Sequence, residues 1–208
     1  METLRERKKR RTREALLRAA LELFTTQGYE RTTVDEIAAA VDVSQRTFFR
    51  YFAGKEDAAF AVQDMTEAVF VAAVRARPPH EAPMTALRQA FLEGWETFRE
   101  TVESAVPVEL YLRMYRTIDT TPALLAAHLR RSAATEETVA RVLAEREGVD
   151  VDADPRPRLA VAVFSGVLRV SERQWSAGRD GGLEAIRALT ASYLDQVGSA
   201  LTGHWRAS

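Results

Sequence analysis

TVDEIAAAVDVSQRTFFRYFAGK, residues 33–55, decides how the rest of the chain is read. Val34, Ile37, Ala38 and Val41 recur at i, i+3, i+4 and i+7, one face of an amphipathic helix. Thr33 ahead of them and Glu36 three residues later make a capping-box pattern. Asp35 and Glu36 also put negative charge on the first turn, where the helix dipole favours it. After Val41 the chain has to turn sharply, and Asp42 takes the left-handed position, which Asp tolerates better than most residues. Ser44 then caps a second helix, expected over residues 45–51.

Placing Phe48 and Phe52 inward, at i and i+4, fixes the rest of that second helix by rotation of about 100° per residue. Arg46 and Arg50 then point outward, Thr47 and Phe49 lie on the flanks, and Gln45 stands at the exposed start. Arg can engage guanine O6 and N7 bidentately, and Gln can do the same to adenine N6 and N7. Two short helices, a tight turn and an open polar face on the second are the layout of a helix-turn-helix, whose second helix enters the DNA major groove. A merely solvated arginine face is the alternative, and it leaves the caps, the turn and the paired aromatics unexplained.

These residues resemble the TetR family of one-component transcriptional regulators. The matching string, residues 13–56, includes Leu16, Ala19, Ala20, Leu23, Phe24, Gly28, Tyr29, Thr32, Thr33, Val34, Ile37, Ala38, Val43, Ser44, Thr47, Phe48, Tyr51, Phe52, Lys55 and Glu56, and spans about a fifth of the chain. The resemblance implies an all-α fold of about nine helices: a three-helix DNA-binding domain over residues 13–56, then a helical ligand-binding and dimerisation domain over residues 57–208. It implies phosphate contacts from Thr33, Tyr51 and Lys55, alongside the expected DNA-facing set of Ser44, Gln45, Arg46, Thr47, Phe49 and Arg50. Lys55 suits that role independently, since a helix N-terminus and an ammonium both attract anions. Two positions depart from the family pattern. Phe49 stands where Tyr is usual, which removes a phenolic phosphate contact, and Asp42 stands where Gly is usual, which strains the turn.

Charge supports the same reading. The chain of 208 residues carries a net charge of −1, yet residues 1–13 hold seven basic and two acidic side chains. Basic charge beside a helix-turn-helix is the electrostatic footprint of DNA binding. Residues 1–12 are expected to be a basic arm whose Arg5, Arg7, Lys8, Lys9, Arg10 and Arg11 track phosphates or enter a minor groove. A solvated tail is the alternative. No Cys is present, which removes disulfides, thiolate chemistry and Cys-ligated zinc and fits a reducing cytoplasm. The longest apolar run, residues 159–168, falls well short of the roughly 18 residues that suggest a membrane span.

From residue 57 onward only helical periodicity appears, punctuated by Pro and Gly. A fourth helix is expected over residues 55–77, stopped by Pro78 and Pro79. Met84, Leu87, Phe91, Trp95, Phe98 and Val102 then share one apolar face of a single helix, ended by Pro107. A short helix follows over residues 108–117, then one from Pro122 to about residue 147 closed by Gly148, and two more over residues 157–177 and 182–202.

Phe91, Trp95, Phe98, Tyr111, Met114 and Tyr115 form the candidate ligand pocket, with plain core as the alternative for the aromatics. Arg113 and Arg116 either meet an anionic ligand group or are simply exposed. This half of the chain also resembles regulators that sense acyl-coenzyme A-like molecules, which implies a small hydrophobic effector. The family resemblance further implies a homodimer through the last two helices. One short helix reads only a few base pairs, so two copies about 34–36 Å apart on a palindromic operator are needed.

An enzyme finds no support in these residues. His80, His128 and His204 lack ligand spacing, and no phosphate loop or nucleophile elbow is present. Asp150, Asp152 and Asp154 start like a calcium loop, but Pro155 replaces the obligatory Gly and Val161 the bidentate Glu, so a solvated loop is expected. No cofactor is called for. The expected function is a cytoplasmic repressor released from its operator by a ligand. A ligand-independent dimeric DNA-binding protein, or an activator of the same fold, is the alternative.

Overall fold

The computed structural model describes residues 3–178 and 181–202, which leaves Met1 and Glu2 of the expected arm and His204 outside the described residues. Ten helices and no strand occur there, in the order α1 (Leu4–Thr26), α2 (Val34–Ala39), α3 (Gln45–Phe49), α4 (Lys55–Arg75), α5 (Pro83–Glu93), α6 (Trp95–Ala105), α7 (Val108–Thr120), α8 (Pro122–Glu147), α9 (Arg156–Ala177) and α10 (Leu183–Thr202). The expected all-α fold is therefore what the chain forms.

The tenth helix comes from Gly94. The apolar face from Met84 to Val102 is not one helix: α5 ends at Glu93 with Gly94 as its C-cap, and α6 restarts at Trp95. A Cβ on residue 94 would sit 2.5 Å from the Ala90 carbonyl oxygen, so only Gly fits this joint. A second difference lies at the N-terminus. The expected arm is helical from Leu4, because Thr3 and Glu6 form a capping box: the Glu6 amide donates to Thr3 Oγ1 at 3.2 Å, and the Thr3 amide to Glu6 Oε2 at 2.7 Å. Elsewhere the borders fall within a few residues of those expected. Gly148 closes α8 in the left-handed conformation, with φ at +65°.

The chain divides into two compact units. The first comprises residues 1–67 and 98–131, and the second residues 68–97 and 132–208. In the first, Leu16, Leu17, Leu21 and Phe24 of α1 share one buried cluster with Ile37 of α2, Phe48 of α3, Phe60 of α4, Val102 of α6 and Leu110 and Met114 of α7. The helix-turn-helix thus has no private core, and its apolar faces continue into α4, α6 and α7.

The second unit is built on α5, α9 and α10 with parts of α4, α6 and α8. Phe70 stacks on Phe164 at 5.5 Å, and Phe91 meets the Phe164 edge at 6.4 Å. Arg77 bridges Glu81 and Glu93, while Arg146 donates to the Arg77 and Pro78 carbonyls, so the Pro78–Pro79 break is held by guanidinium groups. In the loop before α9, Arg158 pairs with Asp152, and Arg156 with Asp154, whose carboxyl it holds down at about 2. These carboxylates serve ion pairs of the loop.

Candidate nucleic-acid interface and effector cavity

Local bonds set the helix-turn-helix. At the start of α2 the Thr33 amide and hydroxyl both donate to Glu36 Oε2, at 2.7 and 2.9 Å, and the Glu36 amide donates back to Thr33 Oγ1 at 3.2 Å. Those bonds, first from the Thr33 amide and then from its hydroxyl, hold the Glu36 carboxyl below its ordinary value. The turn is the one the sequence demands: Asp42 has φ at +54°, and the Val43 amide reaches back to the Ala38 carbonyl at 3.0 Å. Ser44 caps α3 by accepting from the Thr47 amide at 3.2 Å, and its hydroxyl lies 3.0 Å from the Thr47 hydroxyl.

Helix α3 is shorter than expected, ending at Phe49 with Arg50 as its C-cap, although the Tyr51 and Phe52 amides still donate to Phe48. Phe48 and Phe52 are buried, and Gln45, Arg46, Phe49 and Arg50 are exposed. Arg46 has no ion pair or hydrogen bond among the described residues, so its full donor set faces solvent. Arg50 is held: its guanidinium lies 5.0 Å over the Tyr51 ring and donates to the Tyr51 hydroxyl at 3.2 Å. Arg10 and Arg11 are exposed on the first three turns of α1, and Arg10 pairs with Glu14 at 3.5 Å.

Lys55, for which the family resemblance implies a phosphate contact, stands at the start of α4. Its ammonium donates to the Tyr29 carbonyl at 2.9 Å and the Thr32 carbonyl at 2.7 Å, and lies 4.6 Å over the Tyr29 ring. Two of its three donors are spent on the α1–α2 loop, which it clasps to the start of α4. Burial first, and the Glu56 carboxylate second, raise the Tyr29 phenol above its ordinary value, so the ring under the ammonium stays neutral.

A small cavity opens among Leu21 of α1, Ala59, Val62 and Gln63 of α4, and Tyr111, Met114, Tyr115 and Ile118 of α7. It offers about 10 Å³ to the centre of a water-sized sphere, enough for roughly one water. Gln63 also bonds the His128 ring nitrogen at 2.9 Å, and His128 lies between Phe60 and Tyr115.

The geometry of a capped α2, a left-handed turn and an open α3 matches known regulators. A model of the bacterial regulatory proteins of the tetR family matches residues 16–62, and one of the MftR C-terminal domain matches residues 81–202. The HTH-type transcriptional regulator TcmR of Streptomyces glaucescens is 46% identical over 203 residues, 98% of this chain and 90% of TcmR. The chain belongs to the TetR family.

Solved structures agree on the fold. A transcriptional regulator of the TerR/AcrR family from Aquifex aeolicus is 17% identical with a TM-score of 0.57, covering 89% of this chain and 99% of its own. A TetR-family regulator from Streptomyces coelicolor is 20% identical with a TM-score of 0.52, covering 90% and 95%. This TetR-family chain is a DNA-binding transcriptional regulator and not an enzyme. Among the described residues no helix is long and apolar enough to cross a membrane.

Of the six residues expected to form a pocket, the structure brings three to the cavity: Tyr111, Met114 and Tyr115. Phe98 packs edge-on against Tyr111 at 6.1 Å within the same unit but does not line the cavity. Phe91 and Trp95 belong to the second unit, where they pack on each other at 5.4 Å and the Trp95 indole donates to Glu184 at 2.7 Å. Arg113 is exposed and Arg116 half-buried, and neither lines the cavity. The sequence reading missed Leu21, Ala59, Val62, Gln63 and Ile118. A signal for α4 existed: Ala59, Val62 and Gln63 share a helix face at i, i+3 and i+4, and Gln63 is its lone polar member.

Proposed function

We propose that this regulator is a repressor that holds a palindromic operator as a homodimer and releases it when a small hydrophobic molecule enters the first unit. In this reading residues 13–56 read DNA, the basic start of α1 adds phosphate contacts, and residues 57–208 bind effector and dimerise. The observation that carries it is the double allegiance of α1. Leu21 lines the cavity, while Leu17 and Phe24 beside it share a core cluster with Ile37 and Phe48 of the helix-turn-helix. A ligand that wedges α7 from α1 therefore has to push on the core that seats α3. Lys55, clasping the α1–α2 loop to α4, gives that push a second route.

The α9–α10 pair supports the dimer. Leu159 and Val170 on α9 and Leu201 on α10 stay 60%, 58% and 70% exposed, apolar side chains that a second copy could cover. The effector class follows from the lining, which is apolar and aromatic with Gln63 as a polar handle. An acyl-coenzyme A-like molecule is one member of that class, and a purely apolar molecule is another.

A duplex selected from a random pool should be bound at least about 10³-fold more tightly than bulk competitor. No preference would overturn the reading. A ligand screen by thermal shift should find a compound that stabilises the fold by mass action, and that compound should weaken operator binding. The second reading, a dimeric DNA-binding protein that needs no ligand, draws on the cavity's size, since about 10 Å³ is room for roughly one water. A screen with acyl-coenzyme A and apolar arms that yields no stabiliser would favour it.

A further inference from the structure

We propose that Phe49 reads a thymine in the operator through its C5-methyl group. The inference rests on α3 being the reading helix and adds a specificity-determining residue to it. Phe49 is 51% exposed, and it is the one aromatic ring among the large apolar side chains exposed in the described residues. At about 100° per residue it falls roughly 40° from Gln45 and 60° from Arg46, inside the arc that carries the polar readers. Burial does not explain its presence, because Phe48 and Phe52 already supply the inward face.

The ring is braced as well as exposed. The buried Phe48 meets it edge-on, with centroids 5.6 Å apart and planes at 86°, and Phe48 is itself packed on Phe52 at 5.4 Å. A ring standing on a buried neighbour loses little freedom when a partner covers it. Phe has no hydroxyl to donate to a phosphate, so its gain on DNA comes from removing apolar surface from water. In the major groove the apolar group on offer is the thymine methyl, and Phe is among the side chains that suit it.

The test changes the DNA by one methyl and leaves the hydrogen-bonding pattern intact. Binding of the full chain to a selected operator is measured by fluorescence anisotropy, with each thymine replaced in turn by deoxyuridine. The expected result is a loss of about fourfold at one thymine in each half-site, the value of one buried methyl-sized group. In Phe49→Ala, binding to the thymine duplex weakens and the deoxyuridine penalty disappears, while Phe49→Leu keeps part of it. Both variants alter an exposed side chain, and an unchanged melting temperature checks their folding.

A scan that is flat at every thymine overturns the proposal while leaving DNA reading by α3 intact. So does a deoxyuridine penalty that persists in Phe49→Ala, which would give the methyl to another residue. Equal weakening of both duplexes by Phe49→Ala would assign the ring to the sugar-phosphate backbone instead. If no duplex is preferred over random DNA, the reading-helix assignment fails and this inference falls with it.

Discussion

Arg46 and Arg50 carry the same charge on one short helix but are prepared for different tasks. Arg50 is fixed against Tyr51 before DNA arrives, so little conformational freedom remains to be lost when it docks. Arg46 has no partner among the described residues and must be ordered by whatever it meets. If Arg46 contacts a guanine edge, Arg46→Ala should cost about 1–3 kcal/mol on the selected operator and relax preference at one base pair per half-site. Competition binding against operators permuted at single positions measures this. Equal loss on operator and random DNA would make Arg46 a phosphate contact. The turn between the helices was legible at the same scale: Asp42 follows the last apolar residue of α2 and does adopt positive φ. The carbonyl partners of Lys55 were less so, because spacing cannot show that they lie within reach of its ammonium.

At the scale of the elements, caps and breakers decide most borders, and each can be tested. The Thr33–Glu36 box depends on an ionised carboxyl whose pKa is lowered in the folded state. The box is therefore complete above Glu36's ordinary value near 4.5 and is lost as pH falls through the lower, folded value. A carboxyl carbon titration by NMR should give Glu36 a midpoint below 4.5. Glu36→Gln keeps the acceptor oxygen and should remove that element's share of the acid sensitivity. A midpoint at or above the ordinary value would mean the box is absent in solution.

Gly94 is the second test. Gly94→Ala drives a Cβ into the Ala90 carbonyl oxygen and should destabilise by about 1–3 kcal/mol, seen as a lower urea midpoint at unchanged slope. The same joint shows why periodicity miscounted the helices. Gly94 has φ −75° and ψ −3°, close enough to helical that the apolar rhythm runs through the break from Met84 to Val102. Pro107, Pro122 and Gly148 were legible because each acts within one turn of the border it sets. The start of α1 was not, since six basic residues conceal a helix that only the Thr3–Glu6 pair announces.

For the molecule as a whole, periodicity gives the apolar face of each helix but not which faces meet. Phe91, Trp95 and Phe98 share a stripe, yet the first two belong to one compact unit and the third to the other. The cavity falls where α1, α4 and α7 converge, so the side chains that the proposed effector would displace share a core with α3. Such sharing has a thermodynamic consequence that requires no assumed pathway. If an effector weakens operator binding by some factor, saturating operator must weaken effector binding by the same factor. Coupling of about 1–3 kcal/mol, or roughly 5–150-fold, is the range expected of a switch of this kind. Titrating an effector found by thermal shift into the free protein and into the operator complex should give dissociation constants differing by the ratio measured in the DNA experiment. Equal effector affinity in the two titrations would place that ligand at a site uncoupled from α3, and the cavity beside Leu21 would lose its claim to be the switch.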